Sequence, residues 1–173
     1  RLIGGGLVRS VRGMTAKFDV SRPAEGAHTV FLEFENGAVA TAIYSGYDRF
    51  RSAELGYNVG EGGLPFNLEK YGAARNALKN ANPEAELELK KSVRYGGSSS
   101  RNWGEVPDSH PFYGLTVVSC ENGDIRQSPD GLLVYSENEK REVAIPKGTS
   151  GRDNILTELK AAILDKIPPL HDG

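Results

Sequence analysis

The chain has 173 residues and carries 21 Lys and Arg against 23 Asp and Glu, a formal net charge of −2. That length suits one domain with its own core, and the near-balanced charge excludes a general attraction to nucleic acid or to an anionic membrane. The single cysteine, Cys120, excludes an intramolecular disulfide framework and fits a reducing, cytoplasmic compartment; no apolar run approaches the roughly 20 residues of a membrane-spanning helix, and no signal-peptide pattern opens the sequence.

Arg1-Leu2-Ile3 running into Gly4-Gly5-Gly6 reads as a last helical turn ended by glycine. Residues 7–20 alternate in character and read as a strand. After a loop at 21–26, residues 29–35 and 38–47 read as strands flanking Asn36-Gly37, a dipeptide suited to a tight hairpin. On that turn, Val30, Leu32 and Phe34 face Val39, Thr41 and Ile43 across the pair.

The stretch 48–109 interrupts the strands. Its glycine-rich part, 56–65, reads as loop. Leu68, Tyr71, Ala74 and Leu78 stand near helical spacing and predict a helix over 68–81. Pro83 opens a second, running through Leu87 and Leu89 to about Tyr95. A long polar loop follows, GGSSSRNWGEVP over 96–107, with the only tryptophan, Trp103. Loops of that length inside a domain are functional or disordered.

Residues 110–145 carry the strongest local signals. Strands at 115–120, 125–128, 132–135 and 141–145 are separated by Asn122-Gly123, by Pro129-Asp130-Gly131 and by the polar loop 136–140. That is an antiparallel meander, which buries one face against something else. Ser150 and Asp153 then form a capping box for a last helix, striped by Ile155, Leu159, Ala162 and Ile163 and stopped by Pro168. The end at Pro168-Pro169-Leu170-His171-Asp172-Gly173 and the start at Arg1 both read as cuts in a longer protein.

No catalytic constellation declares itself. Cys120 and His110 offer a nucleophile pair, but a thiol at the end of a buried-looking strand is first a packing residue. His28, His110 and His171 lack metal-ligand spacing. Asp108 and His110 offer an acid–base pair or, more plainly, turn formers after Pro107. The glycines at 4–6 and 60–63 do not form a dinucleotide fingerprint between a strand and a helix. Arg51, Arg94 and Arg101 are candidate carboxylate partners, each also readable as a solvated surface arginine.

The opening Arg-Leu-Ile-Gly-Gly-Gly, then Thr-Val-Phe-Leu-Glu-Phe-Glu-Asn-Gly-Ala-Val-Ala-Thr over 29–41, resembles the C-terminal domain of the glucose–fructose oxidoreductase/inositol dehydrogenase/MocA (Gfo/Idh/MocA) family. The later stretch 152–173 is similar as well. HPFYGLTVVSCENGDIRQSPDGLLVY over 110–135, with Lys-Tyr-Gly-Ala-Ala-Arg over 70–75 before it, most resembles the 4,5-dihydroxyphthalate dehydrogenases of that family. The likeness spans nearly the whole chain. It implies an α+β fold, an open-faced, mostly antiparallel sheet with helices packed on one face. It also implies that 1–173 is a substrate-binding and oligomerisation domain, truncated at both ends, with its N-terminal Rossmann domain absent.

The expectations that follow are specific. The parent enzyme uses NAD or NADP, and this fragment holds no cofactor, no metal and no catalytic residue of its own. The family's acid–base lysine sits in a Glu-Lys-Pro motif of the nucleotide domain; here Tyr71 follows Glu69-Lys70, so that role is not carried to Lys70. The partners are the Rossmann domain, a small-molecule substrate of cyclic dihydrodiol or dihydroxyphthalate type, and further copies of the chain joined through the open sheet face. Substrate-binding residues are expected in the loop 96–110: Arg101, Trp103 and His110, an indole covering a ring while a guanidinium holds its carboxylate. In the intact enzyme Arg101→Ala would raise KM roughly tenfold. The competing readings are a stand-alone noncatalytic small-molecule binding or dimerisation module, and a small hydrolase using His110.

Overall fold

The computed structural model describes the chain apart from residues 1–2, 22–23, 48, 95, 100–106, 148–150 and 170–173. It divides into two compact units, Arg1–Arg51 and Ser52–Gly173. The architecture is α+β as expected; the described residues form seven strands in two sheets, with every strand pair among them antiparallel.

The first unit is a sheet of β1 (Val8–Ala16), β2 (Ala27–Phe34) and β3 (Val39–Ser45), in that order. The β2–β3 pairing differs from the expected one by a single residue. Val30 lies opposite Ala42 and Leu32 opposite Ala40, while Val39, Thr41 and Ile43 face Glu33, Phe31 and Thr29. The turn is the cause. Phe34 N–H donates to Ala38 O at 2.9 Å and Gly37 N–H to Phe34 O at 3.0 Å, and Gly37 has φ +86°. Glu35, Asn36 and Gly37 therefore make a three-residue loop with a left-handed glycine, not the two-residue turn. One residue of slip sends each side chain to the other face.

The opening glycines are tied to this turn. Asn36 Nδ2 donates to Gly4 O at 2.8 Å, Glu35 N–H donates to Leu7 O at 2.9 Å, and Phe34, 4% exposed, lies directly over Gly4. At the other end of the sheet, Tyr47 is held by Phe18 N–H donating to its hydroxyl at 2.8 Å.

The second unit holds α1 (Ala73–Lys79), α2 (Pro83–Val93), the meander β4 (Val117–Cys120), β5 (Gly123–Gln127), β6 (Gly131–Tyr135), β7 (Lys140–Ala144), and α3 (Gly151–Leu164). The helix expected over 68–81 is broken in two. Leu68–Lys70 is a single 3-10 turn, Tyr71 is extended at ψ 128°, and Gly72 is left-handed at φ 73° before α1 begins. α2 starts at Pro83 as the sequence indicates, because Asn82 caps it by accepting from Ala85 N–H at 2.8 Å. α3 ends before Pro168: its chain turns at Lys166, whose φ is +57°.

The meander turns are also tighter than expected. Cys120 faces Gly123, so Glu121 and Asn122 form the turn. Ser128 and Gly131 bond each other across Pro129-Asp130. Gly131 is not a left-handed turn residue: it opens β6, where a Cβ would stand 2.1 Å from Val143 O. One face of the meander carries Val118, Ile125 and Val134; the other carries Arg126 and Leu133. Leu133 is 8% exposed, and Val59 and Phe112 are likewise buried in this unit. Among the described residues, no helix is long and apolar enough to cross a membrane.

Candidate functional site

The site is built where the glycine-rich loop 56–65 meets the segment leading into the meander. That loop is ordered by its own bonds: Gly60 N–H to Leu64 O at 3.0 Å, Phe66 N–H to Asn58 O at 2.6 Å, and a bridge pairing Val59 with Pro65. The segment 107–112 then straps across it. Ser109 N–H donates to Gly63 O at 3.2 Å and Phe112 N–H to Gly60 O at 3.1 Å. From the other side, the turn of β5 and β6 grips the same strap. His110 N–H donates to Pro129 O at 2.8 Å, and Gln127 Nε2 donates to Pro111 O at 2.7 Å. Lys147 Nζ donates to Asp108 O and pairs with Asp130 Oδ1 at 3.0 Å.

Phe112, 5% exposed, is the anchor of this arrangement and meets Tyr57 edge-on with centroids 6.1 Å apart. Tyr57 and Asn58 have φ of 60° and 57°, and Val59 N–H closes onto Gly56 O at 3.0 Å. Both central residues of this turn are thus left-handed, a conformation that a tyrosine adopts only under constraint. Above the Tyr57 ring, 5.2 Å from its centroid, stands the Arg126 guanidinium, with Nη2 donating to Leu55 O at 3.3 Å. Arg126 Nε, Asn58 Oδ1 and Ser128 Oγ are buried without hydrogen-bond partners among the described residues. Buried polar groups left unsatisfied are uncommon and each calls for a reason. The Tyr57 ring thus carries a cation with no ion-pair partner among the described residues.

No family model matches the chain. Over its whole length it is 29% identical to the 1-carboxy-3-chloro-3,4-dihydroxycyclohexa-1,5-diene dehydrogenase of Comamonas testosteroni, and it spans 44% of that protein. A solved structure from Bordetella bronchiseptica RB50, provisionally described as a dehydrogenase, superposes with a TM-score of 0.80 at 37% identity, covering 97% of this chain and 43% of that one. The chain is a relative of dehydrogenases. It spans less than half the length of either relative.

Against this relationship, the expected site residues fall as follows. Arg101 and Trp103 lie outside the described residues. His110 is half-buried in the strap, with Nε2 3.0 Å from Ile145 O. Since a carbonyl only accepts, Nε2 carries a hydrogen and donates it to Ile145 O. Cys120 is exposed, not buried in its strand. It sits at the Gly123 end of β5 and His110 at the Pro129 end, six residues or about 20 Å apart along an extended chain, so the two form no pair. Arg94 caps α2 in the open, Arg51 is half-buried at the end of the first unit, and Lys70 is exposed. Among the described residues, no three His, Cys, Asp or Glu side chains gather to hold a metal.

The Tyr57–Asn58–Arg126 cluster was not expected from the sequence. Two signals for it were present. Gly56-Tyr57-Asn58 offers a turn with asparagine at a left-handed position. In β5, the alternation Asp124, Ile125, Arg126 sets the arginine on the same face as Leu133, which is the buried face.

Proposed function

We propose that this chain forms the substrate-binding and assembly part of an NAD(P)-dependent dehydrogenase acting on a cyclic dihydrodiol carboxylate or dihydroxyphthalate-like acid. The observation that carries this is similarity along the entire chain to a dehydrogenase whose name describes a ring bearing one carboxyl and two hydroxyls. The Tyr57–Arg126 cluster supports it, since a guanidinium against an aromatic ring suits a cyclic carboxylate. The exposed free thiol of Cys120 suits a cytoplasmic setting.

The described residues do not fit the nucleotide. A dinucleotide pyrophosphate rests on a glycine-rich turn between a parallel strand and a helix, whereas every strand pair here is antiparallel and α1 follows a 3-10 turn. The nucleotide is therefore assigned to a separate domain. Calorimetric titration of the 173-residue chain is expected to show binding of a cyclic diol carboxylate and none of NAD or NADP. Micromolar affinity for either nucleotide contradicts the assignment.

Assembly is proposed to use the first unit's sheet. Met14, Phe31, Val39 and Ile43 share one face, with Met14 and Ile43 each 79% exposed. Large apolar side chains left exposed on a sheet face, here interspersed with Arg12, Thr29, Thr41 and Glu33, suit an interface, most simply a two-fold one. Light scattering is expected to give a dimer for the chain. Ile43→Asp is expected to weaken it at least thirtyfold, about 2 kcal/mol for a central contact. A wild-type monomer at high micromolar concentration argues against this face.

A further inference from the structure

We infer that a cleft at one end of the first unit's sheet binds a planar ring carboxylate, held by Arg49 against the rings of Phe18 and Phe50; that the ring also carries hydroxyls rests on the dehydrogenase reading above. The cleft has a volume of about 380 Å³ and is lined by Phe18, Asp19, Ser45, Tyr47, Arg49 and Phe50. Small-molecule sites usually span about 300–1,000 Å³. The strand order makes this one. Ala16 at the end of β1 pairs with Ala27, and Ala27 with Ser45 at the end of β3, so the segments leaving both outer strands start from the same end of the sheet. Tyr47 joins them, its hydroxyl accepting from Phe18 N–H at 2.8 Å and donating to Ala16 O at 3.4 Å. Its ring is 8% exposed and lies against Gly26, where a Cβ would stand 2.9 Å from Tyr47 Cζ. A buried crossbar thus fixes the cleft before any ligand arrives.

The lining selects the ligand. Phe18 and Phe50 are 76% and 62% exposed, although aromatic rings are among the side chains that gain most from burial. Phe18 is nevertheless held in place, its centroid 5.8 Å from that of Tyr47 at an interplanar angle of 50°. Open aromatic walls suit a flat ring that packs on them. The polar lining is one guanidinium, one carboxylate and one hydroxyl, from Arg49, Asp19 and Ser45. A guanidinium takes a carboxylate through two parallel N–H bonds, and its five donors let Arg49 do so besides its contacts within the protein. Asp19 Oδ1 accepts from Ser21 N–H at 3.0 Å and from Ser21 Oγ at 2.6 Å. A carboxylate has about four acceptor sites, so a ring hydroxyl can join the bonds it already makes. A wholly apolar occupant would desolvate both charges without a compensating bond.

The test uses the 173-residue chain and calorimetry with protocatechuate (ring, carboxylate and diol), catechol (no carboxylate) and phenylalanine (a ring with an added ammonium). Protocatechuate is expected to bind about tenfold or more tightly than catechol, the effect of one charged hydrogen bond. Arg49→Gln is expected to bring protocatechuate to the catechol level and leave catechol unchanged. Arg49→Lys, which keeps the charge without the fork, falls between. Phe18→Leu and Phe50→Leu are each expected to weaken protocatechuate and catechol alike, by about two- to tenfold, the worth of an aromatic contact. Both rings are exposed, so the two variants keep the wild-type Tm within about 3 °C, and a loss of binding in them is not a loss of fold. The cleft is overturned as the site if no probe binds at millimolar concentration, if Arg49→Gln weakens catechol as much as protocatechuate, or if both Phe variants bind as wild type. Phenylalanine binding more tightly than protocatechuate would make it a site for a zwitterion and overturn the ring-acid assignment. The dehydrogenase reading fails separately: the expected binding pattern without nicotinamide reduction in the nucleotide-linked protein sinks that reading and keeps the cleft.

Discussion

Gly63→Ala is expected to destabilise the second unit by about 3 kcal/mol or more, from a left-handed backbone and an overpacked contact together. Gly63 has φ +70°, and a Cβ there would stand 2.2 Å from Ser109 O and 2.7 Å from Pro107 Cβ. The first obstacle is backbone, so no side-chain rotation relieves it. The strap must move instead, and with it the bond from Ser109 N–H to Gly63 O. A loss of that size lowers Tm by about 6–12 °C in a chain of this length. Gly37→Ala supplies the control. Gly37 is equally left-handed at φ +86°, yet nothing lies within 4 Å of its Cβ position. It is expected to cost only about 1 kcal/mol. Equal losses in denaturant unfolding would show that the strap is not packed against the loop as described.

Phe112→Ala is expected to cost about 3–5 kcal/mol, the usual consequence of deleting a buried aromatic ring. The ring fills the space above Gly56, where an added Cβ would stand 2.7 Å from Phe112 Cδ1. Glycine at 56 and phenylalanine at 112 are thus two halves of one contact, and the loop cannot close over the gap without rearranging its turn. The consequence extends to function, because Phe112 is the edge-on neighbour of Tyr57. With it gone, the tyrosine loses the wall that holds it beneath Arg126. Amide exchange over 56–66 and 107–112 is expected to accelerate together, while β1 to β3 in the first unit keep their protection. Unchanged exchange in the loop would remove Phe112 from its role as anchor.

The strands were legible because their residue alternation and turn dipeptides are local signals. Their registers were less so. Glu-Asn-Gly occurs twice and closes differently each time, as a three-residue loop at Gly37 and a two-residue turn before Gly123. The tripeptide permits both closures, and only the partner strand's packing selects one. Gly72 divided a helix that side-chain spacing alone joins up, since its left-handed φ stops the helical ladder whatever the apolar stripe beyond it. The cluster at Tyr57, Asn58 and Arg126 was hidden for another reason. A glycine-rich stretch reads as loop, and nothing within it announces that a strand some 70 residues later supplies the cation. His110 drew notice as chemistry, and the structure finds its imidazole bonded to the Ile145 carbonyl.

Hydride transfer tests the proposed activity most directly. This chain, linked to the nucleotide-binding domain proposed for it, should be mixed with a carboxylated cyclic diol and NAD or NADP, and the absorbance of the reduced nicotinamide followed. The expected result is reduced nucleotide in step with diol consumed, with neither appearing when the 173-residue chain is used alone. A joined, folded protein that binds nucleotide yet reduces none with any carboxylated cyclic diol would contradict the proposal.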